Sequence, residues 1–164
     1  MDEITKGNAL MVAQSVCEVA LVFPARRLWR IPMPLKWVAV GLIAGGSALA
    51  LAGAITQGRQ IRIHPIPPPD AVLWVSGPYA AMRHPIYTGI LCAAAGGAIL
   101  RARPEPVIAF ATMTAVLSSK ASFEEQLLRQ RFGDAYDAYC ARVPRGLPPD
   151  KREAAESRGG SGPR

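Results

Sequence analysis

The stretch WVAVGLIAGGSALALAGAI, residues 37–55, runs for nineteen residues without a charged side chain. As an α-helix it is long enough to cross about 30 Å of hydrocarbon. A helix that is apolar on every side is typical of a membrane span or of the centre of a large core. Because a chain of 164 residues has room for about one domain, we interpret the stretch as a transmembrane helix.

The composition of the chain agrees with this interpretation. Apolar residues make up 50% of the sequence and charged residues only 19%, which is too little polar surface for a small soluble domain. The formal net charge of +7 would favour nucleic acid in a soluble protein. Here the basic residues flank apolar runs, which favours lipid headgroups. The sequence therefore predicts a lipid bilayer and no nucleic acid as partner.

Three further apolar runs occur, at residues 9–23, 86–100 and 106–119. The first contains Gln14 and Glu18, and the last is short for a span. No small-residue cleavage site follows the first run, so we expect no removable signal peptide. The four runs predict an all-α integral membrane protein with four transmembrane helices, or five.

Small residues recur at helical spacing in two of these runs. One set comprises Gly41, Gly45, Gly46, Ala50 and Ala54; the other comprises Gly89, Ala93 and Gly97. Such rows allow close approach of helix backbones in lipid. We predict that these two helices pack together.

The sequence after residue 119 predicts two short amphipathic helices over residues 122–142. Ser122 and Glu125 form a capping-box start, and Gly133 is a stop signal between the two helices. The Pro, Gly, Arg and Ser content of residues 144–164 predicts a disordered tail. The membrane domain would then comprise residues 1–143.

Polar residues that could carry chemistry form two clusters. The first comprises Tyr79, Arg83, His84 and Tyr87; the second comprises Lys120, Glu124 and Glu125. If residues 86–100 and 106–119 form a helical hairpin, both clusters reach the same membrane face, and we expect Arg83 and His84 to pair with Glu124 across it. Arg and His bind anionic groups, Tyr stacks or donates, and Glu accepts from a ribose diol or faces a cation. S-adenosylmethionine offers a carboxylate, a ribose and a positive centre, and would use all of these groups.

Simpler roles for these residues stay open. Arg83 can extend to the membrane interface from a helix start, and Glu125 with Arg129 can form an ordinary surface pair. The sequence has no glycine-rich phosphate loop, no metal-ligand spacing and no Ser-His-Asp signature. We therefore predict no metal site.

The segments GPYAAMRHPIYTG (77–89) and FEEQLLRQRFGDAYDAYCARVPRGLP (123–148) together resemble the isoprenylcysteine carboxyl methyltransferase family and its phospholipid N-methyltransferase relatives. The resemblance covers roughly residues 60–148. It implies a membrane enzyme that transfers the methyl group of S-adenosylmethionine directly to a lipophilic or lipid-linked methyl acceptor. It also implies that the site and both termini face the cytosol, which charge counting does not decide. We expect a prokaryotic cytoplasmic membrane.

Site residues are carried over from the same resemblance. It implies a cofactor pocket lined by Ala71, Val72, Leu73, Trp74, Tyr79, His84, Pro85, Ile86, Tyr87, Glu124 and Glu125. Arg83 and Lys120 are the expected catalytic residues. Lys120 stands where eukaryotic members have an arginine near the methyl acceptor. It keeps the charge but not the bidentate fork, so the acceptor need not be a prenylcysteine carboxylate.

Two alternatives remain at this point. Membrane steroid and enone reductases, which use a nicotinamide cofactor, carry a similar RHPxYxG element. They favour Asn before the Tyr and an acidic residue after the Gly, where this sequence has Ile86 and Ile90. The other alternative is a small membrane scaffold without catalysis, whose basic tail binds anionic lipid.

Overall fold

The computed structural model describes residues 3–22, 29–58 and 72–148. Within these ranges the chain is helical, with α1 (Glu3–Val22), α2 (Met33–Gln57), a 3₁₀ turn (Gly77–Ala80), α3 (Pro85–Arg101), α4 (Pro104–Phe132) and α5 (Asp134–Arg142). The prediction of an all-α fold is confirmed for this part of the chain. The proline-rich loop at residues 64–70, and Ala71, lie outside the described residues.

Two helices, α2 and α4, are long and apolar enough to cross a membrane. The apolar part of α1 (Asn8–Cys17) and the whole of α3 are shorter. Helix α2 presents large apolar side chains outward, with Trp37 69% and Ile55 70% exposed. A soluble protein rarely exposes such a surface, whereas lipid covers it at no cost. The number of spans stays a prediction.

Helices α2 and α3 pack along each other, as predicted. The contact is backbone to backbone, because a Cβ atom on Gly46 would lie 2.5 Å from the carbonyl oxygen of Gly89. The prediction was wrong about part of the row, since a Cβ on Gly41, Gly45 or Gly97 would meet nothing within 4 Å. These three residues lie on other faces of their helices and do not contribute to the close approach.

Helix α4 is one continuous helix of 29 residues. This corrects the prediction of a separate interfacial helix beginning at Ser122. The Ser122 hydroxyl donates to the carbonyl oxygen of Ser118 at 3.1 Å, one turn earlier in the same helix, instead of capping a new one. No Gly or Pro interrupts residues 107–132. Gly133 then ends the helix at a φ of +51°, a conformation that favours glycine.

Residues 143–148, which we call the strap, fold back onto α3 and α4. The backbone N–H of Arg83 donates to Pro144 O at 2.9 Å, and Thr88 Oγ1 donates to Gly146 O at 3.0 Å. Leu147 is buried in the core between the helices. The predicted tail therefore does not begin at Pro144. The composition of the strap suggested disorder, but its carbonyl groups and apolar side chains find partners; residues 149–164 lie outside the described residues.

Candidate active site

The two polar clusters meet where α3 begins beside the middle of α4. Two residues, Ala102 and Arg103, connect these helices, so the helices run antiparallel and pack together. Pro85 occupies the first turn of α3, where its missing N–H costs nothing. His84 precedes the helix with a non-helical backbone. The predicted juxtaposition of the clusters is present.

Glu125 is the centre of the buried half of the site. Its Oε1 lies 2.8 Å from His84 Nε2 and its Oε2 lies 3.0 Å from Arg83 Nη1. Arg145 of the strap also approaches Oε1, at 3.5 Å. The Glu125 side chain is only 3% exposed, so the carboxylate depends on these partners for its charge. It joins three segments: the residues before α3, helix α4 and the strap.

This arrangement corrects the sequence interpretation in two ways. We predicted Glu124 as the partner of Arg83 and His84, but Arg83 pairs with Glu125, and His84 lies nearer to Glu125, at 2.8 Å, than to Glu124, at 4.0 Å. Successive residues of a helix are about 100° apart, and the rotation of α4 turns Glu125 toward the loop before α3. Glu125 is also no surface partner of Arg129, which instead pairs with Asp137 at 2.7 Å.

Arg83 remains charged in this environment. Burial acts to lower its pKa, but the Glu125 carboxylate together with Cys140 and Tyr136 outweighs burial, and the net shift of the pKa is upward. The same Nη1 atom donates to the sulfur of Cys140 at 3.3 Å. Its guanidinium thus faces Glu125 and α5.

Glu124 forms the more open half of the site with His84 and Tyr87. Its Oε2 accepts a hydrogen bond from the Tyr87 hydroxyl at 3.0 Å and lies 4.0 Å from His84 Nδ1. The Glu124 side chain is 26% exposed. The rings of His84 and Tyr87 stack with centroids 5.6 Å apart. His84 therefore touches both glutamates, Glu125 through Nε2 and Glu124 through Nδ1.

Lys120 lies over the ring of Tyr87. It is one helical turn before Glu124 and only 2% exposed. Its ammonium donates to Gln14 Oε1 of α1 at 3.0 Å and lies 5.3 Å from the centre of the Tyr87 ring, within the range of a cation–π contact. Tyr87 thus contacts a carboxylate through its hydroxyl and an ammonium through its ring face.

Tyr79 is tied to α5 at the edge of the site. Its carbonyl oxygen accepts from the Tyr139 hydroxyl at 2.7 Å. Burial raises the pKa of Tyr139 to about 12 and also raises the pKa of Tyr79. Both phenols therefore stay protonated at neutral pH.

The remaining predicted pocket residues have other neighbours or are exposed. Leu73 packs against the buried Tyr136 and Tyr139 of α5, while Val72 is exposed and Trp74 half-buried. Pro85 and Ile86 face α2, where a Cβ on Gly53 would lie 2.8 Å from Ile86 Cγ1. Ala71 lies outside the described residues.

Two residues of the site were missed by sequence reasoning. Arg145 was assigned to the tail, although the VPR tripeptide that contains it belongs to the motif quoted above. Its Nη2 donates to Ser118 O at 2.9 Å and to Ser122 Oγ at 2.6 Å. Gln14 was noted only as a polar residue in an apolar run, and its partner Lys120 lies 106 residues away.

Comparisons with known proteins point to one kind of chemistry. The phospholipid methyltransferase family matches residues 35–135, which include both polar clusters. A probable protein-S-isoprenylcysteine O-methyltransferase of Oryza sativa subsp. japonica is 32% identical over 135 residues, covering 79% of this chain and 68% of the relative. Protein-S-isoprenylcysteine O-methyltransferase B of Arabidopsis thaliana is 32% identical over 152 residues, covering 88% and 75%.

A fission yeast relative agrees over a shorter stretch. The protein-S-isoprenylcysteine O-methyltransferase of Schizosaccharomyces pombe is 34% identical over 80 residues, covering 48% of this chain and 34% of the relative. No solved structure matches the chain at a significant level. These relatives are eukaryotic, so the expectation of a prokaryotic membrane stays a prediction.

The family match and the relatives agree with the resemblance seen in the sequence. They favour the methyltransferase over both the reductase and the scaffold, because the matching proteins are methyltransferases and the match spans the paired glutamates as well as the RHPxYxG element. The chain therefore belongs to the phospholipid methyltransferase family, and it is a methyltransferase related to the protein-S-isoprenylcysteine O-methyltransferases.

Proposed function

We propose that the protein transfers a methyl group from S-adenosylmethionine to the carboxylate of a lipid-linked methyl acceptor such as an isoprenylcysteine. The observation that carries the proposal is the position of Tyr87, with its hydroxyl on Glu124 and its ring face beneath Lys120. A carboxylate then lies at the hydroxyl end of one aromatic ring and an ammonium over its face. Such a site can hold a cationic methyl donor near the carboxylate and an anionic acceptor near the ammonium.

The residues beside Glu124 fit S-adenosylmethionine. This cofactor carries an ammonium group, a ribose diol and a sulfonium. A carboxylate can accept hydrogen bonds from the ammonium and the diol, and can lie beside the positive charge of the sulfonium. Glu124 is partly exposed and has Tyr87 and His84 beside it, so its carboxylate is held in place while remaining accessible. When bound, the cofactor would supply a methyl group on positively charged sulfur. A nucleophile would take the methyl group, and the sulfur would leave as a neutral thioether.

Lys120 is the residue proposed to receive the methyl acceptor. Its ammonium is buried, and a buried cation attracts an anion more strongly than an exposed one because the surrounding dielectric is low. A carboxylate is already an anion, so no residue needs to take a proton from it. The contribution of the chain is to place donor and acceptor and to exclude water.

Arg83 serves the site through Glu125. Its guanidinium pairs with that carboxylate, which in turn holds His84 Nε2. We therefore propose that Arg83 is a positioning residue, in place of the direct catalytic role expected from the sequence.

The arrangement in the membrane follows from the same proposal. We infer that α1 to α4 cross the bilayer as four spans, α1 and α3 being the shorter ones. The methyl donor is a cytosolic molecule, so the ends of the helices that bear His84 and Glu124 face the cytosol. Residue 3 and α5 then lie on that side too.

Methyl transfer to a defined acceptor tests the proposal. Purified protein in lipid nanodiscs is incubated with methyl-labelled S-adenosylmethionine and either an S-prenylcysteine with a free carboxylate or its amide. We expect a labelled methyl ester, released by mild base, from the carboxylate and none from the amide. Absence of label from the carboxylate, or equal label on a phospholipid amine, would contradict the proposed acceptor.

A further inference from the structure

The contact between Gln14 of α1 and Lys120 of α4 joins the first helix to the reaction site. Lys120 Nζ donates to Gln14 Oε1 at 3.0 Å, and α1 packs along α4. The ammonium is inside the protein, because Lys120 is only 2% exposed. A buried ammonium needs polar partners to offset the loss of water, and Gln14 provides one.

Gln14 also affects where the ammonium lies. Lysine has a flexible four-carbon stem and a compact charge, so its position depends on what its nitrogen contacts. The Tyr87 ring is one such contact, at 5.3 Å. The Tyr87 hydroxyl is directed to Glu124, so it is the ring face that meets Lys120. Gln14 and Tyr87 therefore hold the ammonium from two different helices.

The chemical identity of residue 14 matters as much as its position. An amide oxygen accepts a hydrogen bond from an ammonium but adds no charge. A carboxylate at the same place would form a stronger, charge-assisted bond and would offset the charge of the lysine. Glutamine thus positions the cation and leaves its attraction for an anion intact.

We propose that Gln14 is a positioning residue that holds the Lys120 ammonium for the carboxylate of the methyl acceptor. Its neutral side chain makes the site selective for anionic acceptor headgroups. This inference rests on the proposed function and assigns to α1 a part in the choice of acceptor.

Two substitutions at residue 14 separate this role from a merely structural one. Gln14→Leu removes the oxygen, while Gln14→Glu keeps an oxygen in nearly the same place and adds a negative charge. Ser15→Ala is the matched control, because Ser15 is the exposed neighbour on α1. For each variant in nanodiscs we would measure the KM for an S-prenylcysteine, the KM for S-adenosylmethionine, kcat and the unfolding temperature.

The inference predicts opposite effects of Gln14→Glu on stability and on acceptor binding. The unfolding temperature should stay the same or rise, because Glu and Lys120 form an ion pair. The KM for the prenylcysteine should nevertheless rise about tenfold or more, the scale of one hydrogen bond to a charged group. Gln14→Leu should raise the same KM, with the KM for S-adenosylmethionine unchanged. Ser15→Ala should match the wild type.

A structural role predicts the reverse. If Gln14 only stabilises the packing of α1 on α4, Gln14→Glu preserves the contact with Lys120, and the KM for the prenylcysteine stays at the wild-type value. This result would overturn the inference. Equal rises in the KM values of both substrates would overturn it as well. If Gln14→Leu does not fold, Gln14→Glu decides alone. A wild-type protein that makes no methyl ester would overturn the proposed function and the inference together, whereas an active wild type with an unchanged Gln14→Glu overturns only the inference.

Discussion

The hydroxyl of Tyr87 donates to Glu124 Oε2 at 3.0 Å, so a residue of α3 holds a carboxylate of α4. Tyr87→Phe removes this donor and keeps the aromatic ring beneath Lys120. We expect kcat/KM for S-adenosylmethionine to fall about tenfold, because Glu124 loses a hydrogen bond to a charged group. Steady-state kinetics at saturating methyl acceptor would measure the loss.

Thr112→Val is the control for Tyr87→Phe. It also removes a hydroxyl, but the Thr112 side chain is exposed and donates to Ile108 O of its own helix. The control should keep wild-type kinetics. Wild-type kcat/KM in Tyr87→Phe would show that the hydroxyl does not support the cofactor side of the site.

Glu125→Gln should lower the free energy of unfolding, because more than one cation depends on this carboxylate. The substitution leaves Arg83 and Arg145 near a neutral amide in a buried place. Breaking a buried ion pair from one side costs about 3 kcal/mol or more of the free energy of unfolding. Thermal unfolding in detergent would report it as a clear drop in the unfolding temperature.

Glu105→Gln provides the comparison for Glu125→Gln. Glu105 is exposed and pairs with Arg103 at the other end of α4, and exposed pairs contribute little to the free energy of unfolding. Equal drops in the unfolding temperature of the two variants would mean that the contacts of Glu125 stabilise the protein no more than an exposed ion pair does.

Gly46→Ala and Gly45→Ala differ by one position and should differ in effect. A Cβ on residue 46 would lie 2.5 Å from Gly89 O, so α2 and α3 would have to move apart; a Cβ on residue 45 meets nothing within 4 Å. Overpacking of this kind costs about 1–3 kcal/mol. We expect Gly46→Ala to lower the unfolding temperature and Gly45→Ala to leave it unchanged or raise it. The opposite order would contradict the helix contact.

Arg145→Met should loosen the strap. Arg145 bonds to Ser118 and Ser122 of α4, and the neighbouring Pro144 accepts from the N–H of Arg83. Without the anchor, the Arg83 amide should exchange faster with deuterium. Mass spectrometry of the peptide that contains Arg83 would show this. Arg142→Met, at the exposed residue directly before the strap, should leave the exchange unchanged. Slow exchange of the Arg83 amide in both variants would mean that Arg145 does not anchor the strap.

The sequence predicted what depends on local spacing. The short turn between residues 101 and 104 forces α3 and α4 to run antiparallel, which brings Arg83 and His84 to the paired glutamates. Which glutamate Arg83 pairs with depends on the rotation of α4, because successive residues of a helix point about 100° apart. Spacing alone therefore could not choose Glu125 over Glu124.

Two other features depend on contacts far apart in the sequence. The strap resembles a tail in composition. Its backbone carbonyls accept hydrogen bonds from Arg83 and Thr88, and no pattern of side chains in the sequence predicts these bonds. Gln14 looks like an isolated polar residue until α1 is placed against Lys120. Both cases need the packing of the helices to be known.

The most direct measurement compares Glu124→Gln with Lys120→Met in one kinetic assay with both substrates varied. The two residues contact different parts of Tyr87, Glu124 its hydroxyl and Lys120 its ring face, and we assign Glu124 to the methyl donor and Lys120 to the acceptor. Glu124→Gln should raise the KM for S-adenosylmethionine about tenfold with the KM for the prenylcysteine unchanged, and Lys120→Met should do the reverse. If either variant raises both KM values equally, or if the two effects are exchanged, the assignment of donor and acceptor sides is wrong.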